Sequence, residues 1–119
     1  MMTETYITPE LLALLEKLCN ACAVSGDEGE VRKIVLDEIK PFADEVREDA
    51  LGNLLAVRHA RTANPLRVML DAHMDEVGLM LTIDEGDGIY RFEVVGGIDA
   101  SVLAGKAIWV GKERIPGVI

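Results

Sequence analysis

The stretch Leu70–Leu81, LDAHMDEVGLML, concentrates the residues of this chain that can do chemistry. His73 stands there among the carboxylates of Asp71, Asp75 and Glu76, at the end of an apolar run. A neutral imidazole is a common ligand for zinc and similar divalent metals. On extended backbone a carboxylate two residues away projects from the same side. Asp75 can then accept the other ring N–H of His73, which fixes the tautomer and makes the imidazole a better ligand. The alternative is a solvent-facing histidine at a strand end, with acids that keep the segment soluble. His-x-Asp is short, and a zinc site needs three or four protein ligands. His59 is the only other histidine; it lies beside Arg58 and close to Arg61, and reads as surface.

Cys19 and Cys22 form a C-x-x-C. This spacing serves redox pairs and half zinc sites, but a structural zinc needs a second pair and none is present. Beside Leu15 and Leu18 the two cysteines read as small hydrophobes on the inner face of a helix.

The elements that must position these residues follow from the patterning. Thr8 is a good N-cap, Pro9 suits a first helical turn and Glu10 favours the positive end of the helix dipole. Leu11, Leu14, Leu15, Leu18 and Cys22 follow at helical spacing. Gly26 ends that helix. Ser25 with Glu28 three residues on fits a capping box that opens a second helix, with Val31, Ile34, Val35 and Ile39 inward and Pro41 as its stop. ADEVRED and NLLAVRH then read as short strands around a turn at Leu51–Asn53. Leu66–Ala72, LRVMLDA, is nearly continuous apolar sequence, as in a strand buried on both faces of a helix-covered sheet. VGLMLTI and IYRFEVV flank EGDG, a hairpin signal. GGIDASVLAG is a loop with one helical turn, and KAIWVG and RIPGVI are further short strands. Residues 1–75 thus read as α/β, and residues 76–119 as the start of a small all-β unit. The apolar ending IPGVI suggests an unprotected edge, as expected of a fragment.

Composition narrows the function classes. The chain has 119 residues, half of them apolar, with only two Phe, two Tyr and one Trp. That is one domain's worth of chain with an aliphatic core. The net charge of −9 repels a phosphate backbone, which argues against nucleic-acid binding. No apolar run approaches the roughly 20 residues that span a bilayer. MMTETYITPELL lacks the pattern of a signal peptide, so a soluble cytoplasmic protein is expected.

AHMDEVGLM resembles the first metal-ligand motif of the glutamyl/deblocking aminopeptidase family. These are zinc or cobalt aminopeptidases that form tetrahedral dodecamers, some of them once labelled endoglucanases. VSGDEGEVRKIV, DALGNLLAVR and VVGGIDASVLAGKAIWVGKERIPGVI resemble further family segments in the same order. The similarity runs from about Leu11 to Ile119 and corresponds to the family's N-terminal third. Ala21-Cys22-Ala23 departs from the Pro and Gly that family members often carry at the helix end.

The resemblance implies that His73 is a metal ligand and that Asp75 is the catalytic-site carboxylate that orients it. It implies that residues 1–75 begin a catalytic α/β zinc-peptidase domain, and that residues 76–119 begin an inserted β dimerisation domain. Two divalent metals would share one water, lower its pKa and polarise a peptide carbonyl while a glutamate takes the proton. The remaining ligands and that general base have no matching position in this chain, so these 119 residues alone are expected to be inactive. The implied partners are peptide substrates and copies of the same chain, from dimer to dodecamer. Two other readings compete. One is a short non-catalytic module that associates through its β unit with a full-length paralogue. The other, a carboxypeptidase-like zinc hydrolase sharing His-x-Asp, is opposed by GGIDASVLAG and IPGVI.

Overall fold

The computed structural model describes residues 7–119. The start of MMTETYITPELL lies outside the described residues. The chain is a mixed helix-and-strand structure that divides into two compact units. One comprises residues up to Ala23 together with Glu28–Met74, and the other comprises Val24–Asp27 and Asp75–Ile119.

The first unit holds two helices and a hairpin. Helix α1 spans Pro9–Cys19, and Thr8 caps it as the sequence requires: its Oγ1 accepts from the Leu11 N–H at 3.3 Å. The helix closes at Asn20, whose N–H bonds the Glu16 carbonyl at 3.0 Å. It is therefore shorter than the apolar spacing predicts, and Cys22 falls beyond it. The expected inner face is only partly covered. Leu14 and Leu18 are half-buried, whereas Leu11 and Leu15 are exposed. Helix α2 spans Gly29–Ile39 and passes into a 3-10 turn, Lys40–Phe42, where Pro41 ends the α-helical bonding. Glu28 occupies its N-cap position without a side-chain cap bond, so the expected capping box does not form.

Strand β1, Glu45–Glu48, pairs antiparallel with β2, Leu54–Val57. Arg32 fastens α2 to this hairpin. Its Nε donates to the Gly52 carbonyl at 2.7 Å, and its guanidinium lies 3.6 Å from Glu28 and 3.4 Å from Glu48. The buried centre of the unit is small: Ala21, Ala23 and Val31, with Leu18, Ile34, Val35 and Met74 packed around them.

Leu66–Ala72 departs most from expectation. No strand forms there, and Leu66 and Leu70 are 87% and 93% exposed. A strand exists only where a neighbour takes its backbone groups. Every ladder among the described residues is an antiparallel pair, and none includes this segment. Its apolar character therefore stays, while its pairing does not occur.

The second unit consists of two hairpins and a returning turn. Strand β3, Gly78–Gly86, pairs antiparallel with β4, Ile89–Val95, and the ladder shifts register between Leu81 and Ile83 and again before Gly86. Asp87 and Gly88 connect them, both at positive φ, as a tight two-residue hairpin turn requires. A 3-10 turn at Ala100–Val102 follows, with the Asp99 carboxylate accepting from the Ser101 N–H at 2.9 Å. Strand β5, Ala107–Val110, pairs antiparallel with β6, Ile115–Val118. These are the short strands expected from VGLMLTI, IYRFEVV, KAIWVG and RIPGVI.

Val24–Asp27 belongs to this unit through a parallel bridge between Val24 and Glu76. It makes a tight turn: the Asp27 N–H bonds the Val24 carbonyl at 2.7 Å, and Gly26 takes φ 93° at the third position. That conformation favours glycine strongly, which explains the Ser-Gly pair locally.

Candidate functional site

His73 lies in an irregular segment, residues 65–75, and its side chain is exposed. Met74 on one side of it packs against the buried Ala21–Ala23–Val31 cluster of the first unit. Asp75 is half-buried in the second unit. There the Ser25 hydroxyl donates to Asp75 Oδ2 at 2.5 Å.

The Ser25–Asp75 bond joins two segments 50 residues apart. It is delivered by backbone structure. The Val24–Glu76 bridge lays residues 24–25 along residues 75–76. Val24 then packs over Gly78 so closely that a Cβ there would collide with the Val24 side chain. Lys112 Nζ, 3.3 Å from Asp27 Oδ1, meets the far end of the same turn. Sequence reasoning missed this contact because Ser-Gly-Asp-Glu matches a helix-capping pattern. The only signal was that VSGDEGEVRKIV and AHMDEVGLM both belong to the resemblance.

The other candidate residues stand apart. Asp71 and Glu76 are exposed. His59 is exposed, as read from its basic neighbours, and its Nε2 is 2.8 Å from Glu45 Oε1 while its backbone N–H donates to Asp44 at 2.6 Å. Cys19 is exposed and Cys22 half-buried, both as free thiols, which corrects the expectation of two core residues on one helix face. The physical reason is the early end of α1 at Asn20, which leaves Cys22 outside the helix and Cys19 on an uncovered side.

Among the described residues, no three His, Cys, Asp or Glu side chains gather in a group able to hold a metal ion. A zinc centre needs three or four protein ligands. These residues therefore do not make a metal centre by themselves. What they offer toward one is a single imidazole, His73, and the carboxylate of Asp75.

Residues 52–119, more than half of the chain and including His73, Asp75 and all of β3–β6, match the family described as M42 glutamyl aminopeptidase. The chain is 38% identical over 102 residues to the lysyl aminopeptidase of Pyrococcus furiosus, covering 85% of this chain and 29% of that protein. It is 32% identical over 97 residues to the glutamyl aminopeptidase of Lactococcus lactis, covering 82% of this chain and 27% of that one. Among solved structures, a Thermotoga maritima protein described as an endoglucanase superposes with a TM-score of 0.79 at 38% identity, covering 87% of this chain and 32% of that one. The TET1 peptidase of Pyrococcus horikoshii, which assembles into a tetrahedron or a large octahedral shell, superposes with a TM-score of 0.71 at 34% identity. Those figures cover 87% of this chain and 30% of the TET1 chain. The chain thus spans under a third of the relatives and solved structures that it matches. With the family model matching more than half of the chain, and likeness in both sequence and fold over 87% of it, this chain belongs to the M42 glutamyl aminopeptidase family.

Proposed function

We propose that this chain is the N-terminal part of a longer metal-dependent aminopeptidase that removes N-terminal residues from peptides, and that these 119 residues alone are inactive. The observation that carries the reading is that AHMDEVGLM falls within the family match, on a chain that spans under a third of its aminopeptidase relatives. One imidazole with one supporting carboxylate is part of such a centre, and the other ligands would come from elsewhere in the parent.

In this reading His73 contributes one ring nitrogen to a divalent metal, zinc or cobalt. Asp75 would be the carboxylate that orients the imidazole and holds its tautomer. Two bound metals would supply an activated water and polarise the scissile carbonyl. This chain's own part is to present the imidazole in one orientation. Met74, packed against the buried cluster of the first unit, anchors the backbone at the next residue. The assemblies of the TET1 peptidase support a homo-oligomeric parent. A cytoplasmic setting fits the acidic charge, and no helix among the described residues is long and apolar enough to cross a membrane.

The test is the intact mass, metal content and aminopeptidase activity of the protein as its source makes it. A mass about three times that of this chain is expected, since the chain covers 29% of a typical relative. His73→Ala should lower activity by more than the roughly 10–100-fold that losing a supporting partner costs, with loss of bound metal. Normal turnover and metal content in that variant would remove His73 from the site. A mass of only 119 residues would instead favour a non-catalytic module that pairs through the β unit.

A further inference from the structure

We propose that Cys19 and Cys22 are a reversible dithiol site, in which Cys19 takes up a peroxide oxidant and Cys22 closes a disulfide. The site lies wholly in the first unit and is independent of the aminopeptidase reading. These are the chain's two cysteines, and both are free thiols. Free cysteine is ordinarily among the most buried residue types. Here Cys19 is exposed and Cys22 half-buried, so solvent reaches the first sulfur directly. Among the described residues no third His, Cys, Asp or Glu joins them in a group able to hold a metal ion. Two thiols without further ligands suit redox chemistry better than zinc.

The local backbone favours closure. Helix α1 ends at Cys19, and Asn20 keeps helical dihedrals, φ −98° and ψ −5°. The Ala21 N–H bonds the Leu18 carbonyl at 3.3 Å, and the chain bends again at Ala21. Residues three apart on a chain that turns in this way have Cα atoms about 5–7 Å apart, the span that a disulfide bridges. Cys22 has a fixed place. Ala21 and Ala23 on either side of it are 8% and 2% exposed, and its N–H donates to Glu30 Oε2 of α2 at 3.0 Å. Cys19 is the last residue of its helix, where turns fray, so it is the partner that moves. In the reaction the Cys19 sulfur attacks one peroxide oxygen and the O–O bond breaks, which leaves a sulfenic acid and one water. The Cys22 sulfur then attacks the Cys19 sulfur, the S–O bond breaks and a second water leaves. The two thiols lose two electrons and two protons, and hydrogen peroxide takes them up. A thiol reductant reverses the bond by exchange.

Both cysteines fall in one tryptic peptide, Leu18–Arg32, because Lys17 precedes it and Arg32 ends it. The folded protein as its source makes it is treated with hydrogen peroxide, remaining thiols are blocked with iodoacetamide, and this peptide is weighed. It should be lighter than the reduced peptide by two hydrogens and carry no blocking group. Dithiothreitol before blocking should return a peptide that takes two. Cys22→Ser should abolish the shift and leave Cys19 as a sulfenic acid that dimedone traps. Cys19→Ser, a change on an exposed side chain, should abolish the shift without dimedone labelling of Cys22. A wild-type peptide that takes two blocking groups after peroxide would overturn the site. So would peptide pairs joined through Cys19, or Cys19 oxidised to sulfinic acid beside a free Cys22, since in either case the two sulfurs do not meet. Dimedone on Cys22 in the Cys19→Ser variant, with none on Cys19 in the Cys22→Ser variant, would overturn the assigned order of attack.

Discussion

At the turn between β1 and β2, one carboxylate gathers the backbone. Asp49 Oδ1 accepts from the N–H groups of Leu51 and Asn53 at 2.9 Å each, and Oδ2 accepts from the Asn53 side-chain amide at 2.9 Å. These bonds, the Asn53 amide first, hold the carboxyl below its ordinary value of 3.8, with Arg47 adding a weaker pull. The ionised form is the one that accepts all three bonds. The stabilisation is therefore present above the unfolded value and is lost as pH falls through the depressed folded one. Glu10, which accepts from its own backbone N–H and from Thr8, and Asp99, which accepts from Ser101, shift the same way. Carbon-detected NMR titration should place the Asp49 midpoint below 3.8, and Asn53→Ala should move it back up. A midpoint unmoved by that substitution would assign the shift to another cause. The type and spacing of His73 were legible as chemistry, but nothing local decides its surroundings.

Between elements, Arg32 ties helix to hairpin. Its side chain is 20% exposed and reaches Gly52, Glu28 and Glu48 at once. The two ion pairs are partly solvated and contribute at most about 1 kcal/mol each. The bond to the Gly52 carbonyl counts for more, because a charged donor contributes roughly 1.5–3 kcal/mol and its loss leaves a partly buried acceptor without it. Arg32→Met keeps much of the aliphatic stem and removes the donor. It should destabilise the protein by about 2 kcal/mol in urea unfolding and speed amide exchange in β1 and β2 before α1. Uniform loss of protection across both helices and the hairpin would show that Arg32 has no special link to β1 and β2.

On the scale of the whole chain, apolar surface exceeds what the elements cover. Ala21, Ala23 and Val31 are the buried hydrophobic residues among those described, while Leu66, Val68, Met69 and Leu70 stand exposed in succession. Contiguous exposed apolar surface of this kind marks an interaction site or a liability to associate. The 119-residue chain expressed alone should bind a hydrophobic dye and scatter light as species heavier than its 13.0 kDa monomer, increasingly so with concentration. A monodisperse monomer over a wide concentration range would show that this surface is tolerated in water.

Local rules carried much of the structure. Thr8 and Pro9 open a helix, Pro41 closes one, and Asp87-Gly88 turns a hairpin, because caps and turns are satisfied by residues within a few positions of each other. The family, too, was legible, since its motifs are strings of neighbouring residues. What the chain pattern misjudged depended on distant partners. Leu66–Ala72 has the composition of a buried strand, yet a strand is made by its neighbours and none pairs with it. Ser25 has the spacing of a helix cap, yet its hydroxyl is spent on Asp75, 50 residues away. Hydrophobicity and turn chemistry are properties of a residue and its near neighbours, so sequence determines them. Which strand is paired, and which carboxylate a hydroxyl reaches, is decided only when the chain returns on itself.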